Sequence, residues 1–319
     1  MELMQDKAGT SHRVAVGVHS VNRFVFGVPD LTEARRFYTA FGLDVREQRD
    51  RLDLYTYGHE HCWGSIHPHG TKQLLYLSLG IYAADEPVFA ARIRSAGLES
   101  APHSSSDGAG LWLRDPDGAM LQLVVAPKVS PSQKTLQNPA AATPAGKGAA
   151  PARSAVTQVR PKHLSHLLRF SPDVPRMTSF CRDVLGLRLS DHSGDIIAFM
   201  HGRHGSDHHL LAFAKSHAPG LHHTSWAVGS IDEVGCGMEQ MRNAGYEQGW
   251  GVGRHVLGSN YFYYVRDPWN SWAEYSFDID FIPAGFDWRA ADHPAEDSLY
   301  VWGPPVHGEF INNYEVPRG

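Results

Sequence analysis

The 319-residue chain reads as a mixed α+β protein built from two copies of one unit. Two observations carry this reading. Short motifs recur in the same order in the two halves, which marks an internal duplication. Each half also mixes short β-branched or aromatic runs with helical segments, and units of that kind bury one sheet face under helices and leave the other available.

Taken in order, Val28-Pro29-Asp30-Leu31 leads to Arg36-Phe37-Tyr38 and then Phe41-Gly42-Leu43. In the second half Ser171-Pro172-Asp173-Val174 leads to Ser179-Phe180-Cys181 and Leu185-Gly186-Leu187. Each stretch predicts a helix that begins after a Pro-Asp turn and stops at glycine. Further on, Ser95-Ala96-Gly97-Leu98-Glu99 matches Asn243-Ala244-Gly245-Tyr246-Glu247. Likewise Leu113-Arg114-Asp115-Pro116-Asp117-Gly118 matches Val265-Arg266-Asp267-Pro268-Trp269-Asn270. The second copy should also contain a hairpin from Ile196–Met200 to Leu210–Phe213 and a helix near Ile231 to Ala244.

Between the copies, Pro131, Pro139, Pro144 and Pro151 lie among Ala, Gly, Gln and Ser with no apolar periodicity, which predicts a flexible linker. The expected division is residues 1–128, a linker at 129–157, and residues 158–319. After Asp280 the chain carries Trp288, Tyr300, Trp302 and Tyr314 with Pro304-Pro305. So aromatic a tail should pack over the second copy as a lid.

Composition narrows the function. With 42% apolar residues the chain can bury a sizeable core, and a net charge of -5 without a Lys/Arg run argues against a nucleic-acid partner. The opening Met1 to Lys7 lacks a signal-peptide apolar stretch, and no run reaches the roughly 18 apolar residues of a membrane span, so a cytoplasmic protein is expected. Cys62, Cys181 and Cys236 are too few and scattered for a disulfide framework or thiolate zinc site. Twenty histidines, by contrast, exceed what core packing asks for, and metal or proton-transfer work is one outlet for them.

Three segments give that outlet a place: Ser165-His166-Leu167-Leu168-Arg169-Phe170, Leu221-His222-His223-Thr224-Ser225-Trp226, and Trp272-Ala273-Glu274-Tyr275. Each sets one strong ligand in a strand-like run, and two imidazoles with one carboxylate make the facial triad of non-haem iron(II) oxygenases. A single buried histidine is more often a hydrogen-bonded core residue than a ligand, and Glu274 could instead face outward. The recurrence of the segments at matching places in a duplicated unit favours the joint reading.

With those motifs the sequence resembles the type I extradiol ring-cleavage dioxygenases of the vicinal oxygen chelate superfamily, over nearly the whole chain apart from the linker. The resemblance implies tandem βαβββ modules in two domains, with Fe(II), or alternatively Mn(II), held by His166, His223 and Glu274 in the C-terminal domain alone. The first-copy counterparts fall near Asn22 or Arg23, about Leu75, and Gln122, so that copy should be structural. It further implies that Tyr264 contacts the substrate oxygen, that His255 hydrogen-bonds the same region, and that His209 is the acid/base beside the oxygen site. His208 is its neighbouring competitor, and Phe199 would wall the ring pocket. The implied substrates are a catechol and dioxygen, with ring opening beside the diol, in a homo-oligomer.

The stretch from Phe199 to His209 looks longer than in relatives. A non-redox isomerase or lyase of the same superfamily is the alternative, but such enzymes tend to use four protein ligands and would leave His209, His255 and Tyr264 without roles. His59-Glu60-His61-Cys62 with His67 and His69 reads as an exposed loop, and Gly249-Trp250-Gly251-Val252-Gly253 as the turn that delivers His255.

Overall fold

The computed structural model describes residues 16–135 and 145–315. The signal-peptide reading of the opening residues and the linker prolines Pro139 and Pro144 lie outside these. The first sheet contains β1 (Ser20–Val28), β2 (Asp44–Glu47), β3 (Leu52–Tyr55), β4 (Gly64–Pro68), β5 (Gln73–Ile81), β6 (Leu111–Arg114) and β7 (Met120–Val125). Helix α1 (Leu31–Phe41) follows β1, and α2 (Glu86–Ser95) follows β5.

The second half begins with β8 (His163–Ser171), α3 (Val174–Asp183), β9 (Arg188–Ser193) and β10 (Ile197–His201). It continues with β11 (Ser206–Asp207), β12 (Leu211–Lys215), β13 (Gly220–Ala227) and α4 (Ile231–Asn243). Then come β14 (Gly249–His255), β15 (Tyr261–Arg266), β16 (Trp272–Phe277), β17 (Phe281–Ile282), α5 (Ala295–Ser298) and β18 (Tyr300–Trp302).

The two sheets share one wiring. In the first, β1 pairs parallel with β4 and antiparallel with β5, which pairs parallel with β7. In the second, β8 pairs parallel with β12 and antiparallel with β13, which pairs parallel with β16. The mixed α+β fold with two units is therefore as expected. Between Phe199 and His209, β11 lies outside the main sheet and pairs with β17.

The repeated motifs prove to be structural devices. Asp30 caps α1 by accepting from the Thr32 and Glu33 amides at 2.8 and 3.1 Å, and Gly42 ends it at φ 98°. Helix α3 ends at Asp183, short of the expected glycine. Gly186, at φ 69°, instead lets the first half's Val16 and Gly17 approach where a Cβ would strike backbone.

Both Arg-Asp-Pro turns tie the halves together. Asp115 Oδ1 accepts from the Asp117 and Ala119 amides, while Oδ2 takes Arg169 of the second half at 2.6 Å. Asp267 Oδ1 accepts from the Trp269 and Ser271 amides, while Oδ2 takes Lys72 of the first half at 2.7 Å. All four residues of these pairs are buried. A continuous apolar core, from Phe24 and Phe41 to Trp226 and Tyr275, joins the two sheets.

One expectation fails here. Gly249–Gly253 is the body of strand β14, not a turn. Its glycines leave room for the Tyr263 and Phe262 rings of the neighbouring strand, which a Cβ at Gly249 or Gly253 would hit. The tail does cover the second sheet: Trp288 Nε1 donates to the Ser190 carbonyl, Trp250 Nε1 donates to the Pro304 carbonyl, and β18 pairs with β14. No helix among the described residues is long and apolar enough to cross a membrane.

Candidate metal centre

Register places the site. Ser225 of β13 sits opposite His166 of β8 on one side and Glu274 of β16 on the other, and Glu274 faces Tyr264 of β15. Because side chains alternate along a strand, His223, two residues before Ser225, shares that face. The ligand atoms of His166, His223 and Glu274 all lie within 4.8 Å of one another, and all three residues are buried. His166 Nε2 and His223 Nε2 stand 3.3 and 3.6 Å from Glu274 Oε2.

The surrounding hydrogen bonds decide which atoms face inward. Ser165 Oγ donates to Asp207 Oδ2 at 3.1 Å and so accepts from His166 Nδ1 at 3.2 Å, which leaves the His166 Nε2 lone pair toward Glu274. On the other ligand strand, the Phe310 carbonyl accepts from His222 Nε2 at 2.7 Å. Burial pushes His222 down to about 4, so at neutral pH its Nδ1 is an acceptor, and His223 Nδ1 donates to it at 2.7 Å. Asn260 Nδ2 holds Glu274 Oε1 at 3.0 Å.

This chain's donor set fits a divalent metal. His223 Nε2 and Glu274 Oε2 are buried with no hydrogen-bond partner, an arrangement that is costly unless something else binds them. Burial and the neighbouring His222, His166 and His255 hold His223 well below its ordinary value, so it is a neutral ring with a free lone pair. Two imidazoles and one carboxylate suit Fe(II) or Mn(II).

The other predicted residues lie around the same cavity, whose volume is about 250 Å³. His209, His255, Tyr264 and Phe199 all line it. The His209 ring packs 4.0 Å from that of His166 and 4.8 Å from that of Phe199. The Leu299 carbonyl accepts from His255 Nδ1 at 2.7 Å, and Tyr264 Oη donates to the remaining His255 Nε2 at 2.9 Å. Burial and the Glu274 charge push the Tyr264 hydroxyl well above its usual value, so it stays protonated.

The first sheet holds Arg23, Tyr76 and Gln122 at the register of His166, His223 and Glu274. Motif matching pointed to Leu75 rather than Tyr76; the shared Ser78 and Ser225 rows fix the position. Motif matching passed over Ser165, Asp207 and Asn260, since a serine, a lone aspartate and a loop asparagine carry no spacing signal. His222 was not singled out either; a bulge between Leu221 and His223 brings its ring beside that of His223. Of the segment expected to be an exposed loop, His61 Nε2 is tied to the Asn22 carbonyl at 2.6 Å, Cys62 is buried and His67 lies in β4.

Comparisons with known proteins agree with this geometry. Residues 163–275 match the Glyoxalase/Bleomycin resistance protein/Dioxygenase superfamily. The chain is 49% identical over 301 residues to Metapyrocatechase 2 of Cupriavidus necator, covering 94% of this chain and 93% of that one. Among solved structures, the Mn(II)-bound glyoxalase from Novosphingobium aromaticivorans shares the fold at a TM-score of 0.71 and 22% identity, over 94% of this chain and 99% of that chain. The E323L mutant of homoprotocatechuate 2,3-dioxygenase from Brevibacterium fuscum does so at 0.73 and 18%, over 93% and 82%. Among the described residues only three ligand atoms converge, and the extended identity is to a metapyrocatechase, so the non-redox alternative is not favoured. This chain belongs to the extradiol ring-cleaving dioxygenases of that superfamily.

Proposed function

We propose that this chain cleaves a substituted monocyclic catechol beside its diol, using dioxygen and Fe(II) held by His166, His223 and Glu274, in the degradation of aromatic compounds. Residues 158–319 carry the chemistry in this reading, residues 1–128 are structural, and 129–157 join them. The observation that carries it is the convergence of buried, unpartnered lone pairs on His223 Nε2 and Glu274 Oε2 at the end of a largely apolar cavity.

A bound redox metal would supply positions that bring catecholate and dioxygen together and a path for electrons between them. The protein's own groups handle protons and placement. Tyr264 Oη already donates to His255 Nε2, so its free lone pairs can accept a catechol hydroxyl proton while its own proton moves to His255. His209 faces the same space with a neutral ring, kept well below its ordinary value by burial and by His166 and His208, and is placed to carry a proton for the oxygen step. Phe199 walls the ring, and Leu168, Ile197 and Leu257 surround the rest with apolar surface. Lys215 on the cavity wall is paired with Asp195.

Anaerobic purification, iron loading and addition of 3-methylcatechol in air test this reading. Oxygen uptake with a yellow ring-fission product is expected. Bound metal without oxygen uptake on a panel of catechols would overturn it.

A further inference from the structure

Behind His209 stands a second buried network that neither the ligand set nor the substrate contacts use. His208 Nδ1 lies 3.1 Å from His209 Nδ1, and the other nitrogen of His208, Nε2, lies 2.9 Å from Asp191 Oδ2. His208, His209 and Asp191 are all buried. Asp191 is itself held by four donors: His208, the Ala291 amide at 3.0 Å, His293 Nε2 at 3.1 Å and Trp288 Nε1 at 3.3 Å. The backbone of His208 is fixed as well, since its amide donates to the Asp280 carbonyl at 2.6 Å.

From this geometry we infer that Asp191 and His208 form a positioning pair that sets the tautomer of His209. A carboxylate only accepts, so the proton of His208 sits on Nε2, toward Asp191. The donors from the tail fill the other Asp191 sites, so the His208 Nε2 proton takes the remaining one. His208 Nδ1 is then an acceptor, and the His209 proton must sit on Nδ1, facing His208. The His209 Nε2 lone pair is left for the cavity. A histidine that rotates or switches tautomer would present a proton to the cavity in place of a lone pair, and the buried pair prevents both. The tail residues Trp288 to His293 thereby act on the cavity through Asp191, without touching the substrate. This inference rests on the acid/base role proposed for His209.

The test reads tautomers directly. In the metal-free protein labelled with ¹⁵N-histidine, long-range ¹H–¹⁵N spectra, assigned with single-histidine variants, should show His208 protonated on Nε2 and His209 on Nδ1. A His209 protonated on Nε2 would overturn the inference. This readout stands whether or not the oxygen assay succeeds, so the two readings fail separately. Kinetics supply the second arm. His208→Leu should lower kcat roughly 10- to 100-fold with little change in the KM for catechol. His208→Asn, whose amide oxygen can replace the Nδ1 acceptor, should recover part of that loss. Equal impairment in both variants, or wild-type kcat in His208→Leu, would count against it.

Discussion

The Nδ1 atoms of His222 and His223 lie 2.7 Å apart, so one ring donates to the other, and the Phe310 carbonyl on the far side of His222 decides the direction. A carbonyl in the tail thus determines which nitrogen of His223 is offered to a metal. Replacing His222 with leucine removes the acceptor and frees the His223 ring to turn. Metal affinity should fall roughly 10- to 100-fold, as when other groups that orient a ligand are lost. Competition with a chromophoric chelator measures it, and unchanged affinity would contradict the relay.

Asn260 does the corresponding work for the carboxylate. Asn260→Leu strips the Glu274 Oε1 and Ser276 Oγ partners. An unsatisfied buried acceptor costs about 1–3 kcal/mol. Denaturant unfolding of the metal-free variant should show a loss in that range.

The cross-half ion pair between Lys72 and Asp267 has both side chains almost fully buried. Removing one partner strands the other charge, so Lys72→Met should destabilise by about 3–5 kcal/mol. The double variant Lys72→Met with Asp267→Asn should recover part of this. A double-mutant cycle on unfolding free energies checks it.

The two-unit α+β fold, the helix starts after the two Pro-Asp turns, and the strands around His166, His223 and Glu274 were legible because each rests on local periodicity or capping chemistry. What escaped depends on contacts between distant segments. Asp207 reaches His166 through Ser165, Leu299 reaches His255, and Phe310 reaches His222, and none of these pairings leaves a spacing in one chain. The glycines of β14 misled for the opposite reason: a local turn signal was answering to the aromatic rings of Tyr263 and Phe262 across the sheet.

Acid should loosen the fold. Burial holds His19, His163 and His201 at about 4, against an unfolded value of 6.5. These groups are neutral when folded and take up protons on unfolding, so their contribution is complete above pH 6.5 and is lost as pH falls toward 4. Asp207, pushed up to about 6 by burial, has the opposite slope between 3.8 and 6. Three histidines against one aspartate leave a net fall. The Tm of the metal-free protein should drop between pH 7 and 4.5, and His163→Leu should flatten the drop.

The roles proposed for the surrounding residues all depend on one metal sitting among His166, His223 and Glu274. Anomalous diffraction at the iron edge from anaerobically iron-loaded crystals tests it most directly. A single strong peak per chain, bonded to His166 Nε2, His223 Nε2 and Glu274 Oε2, is expected. A peak elsewhere, such as at His59 and His61 in the first half, with none between these three, would contradict it.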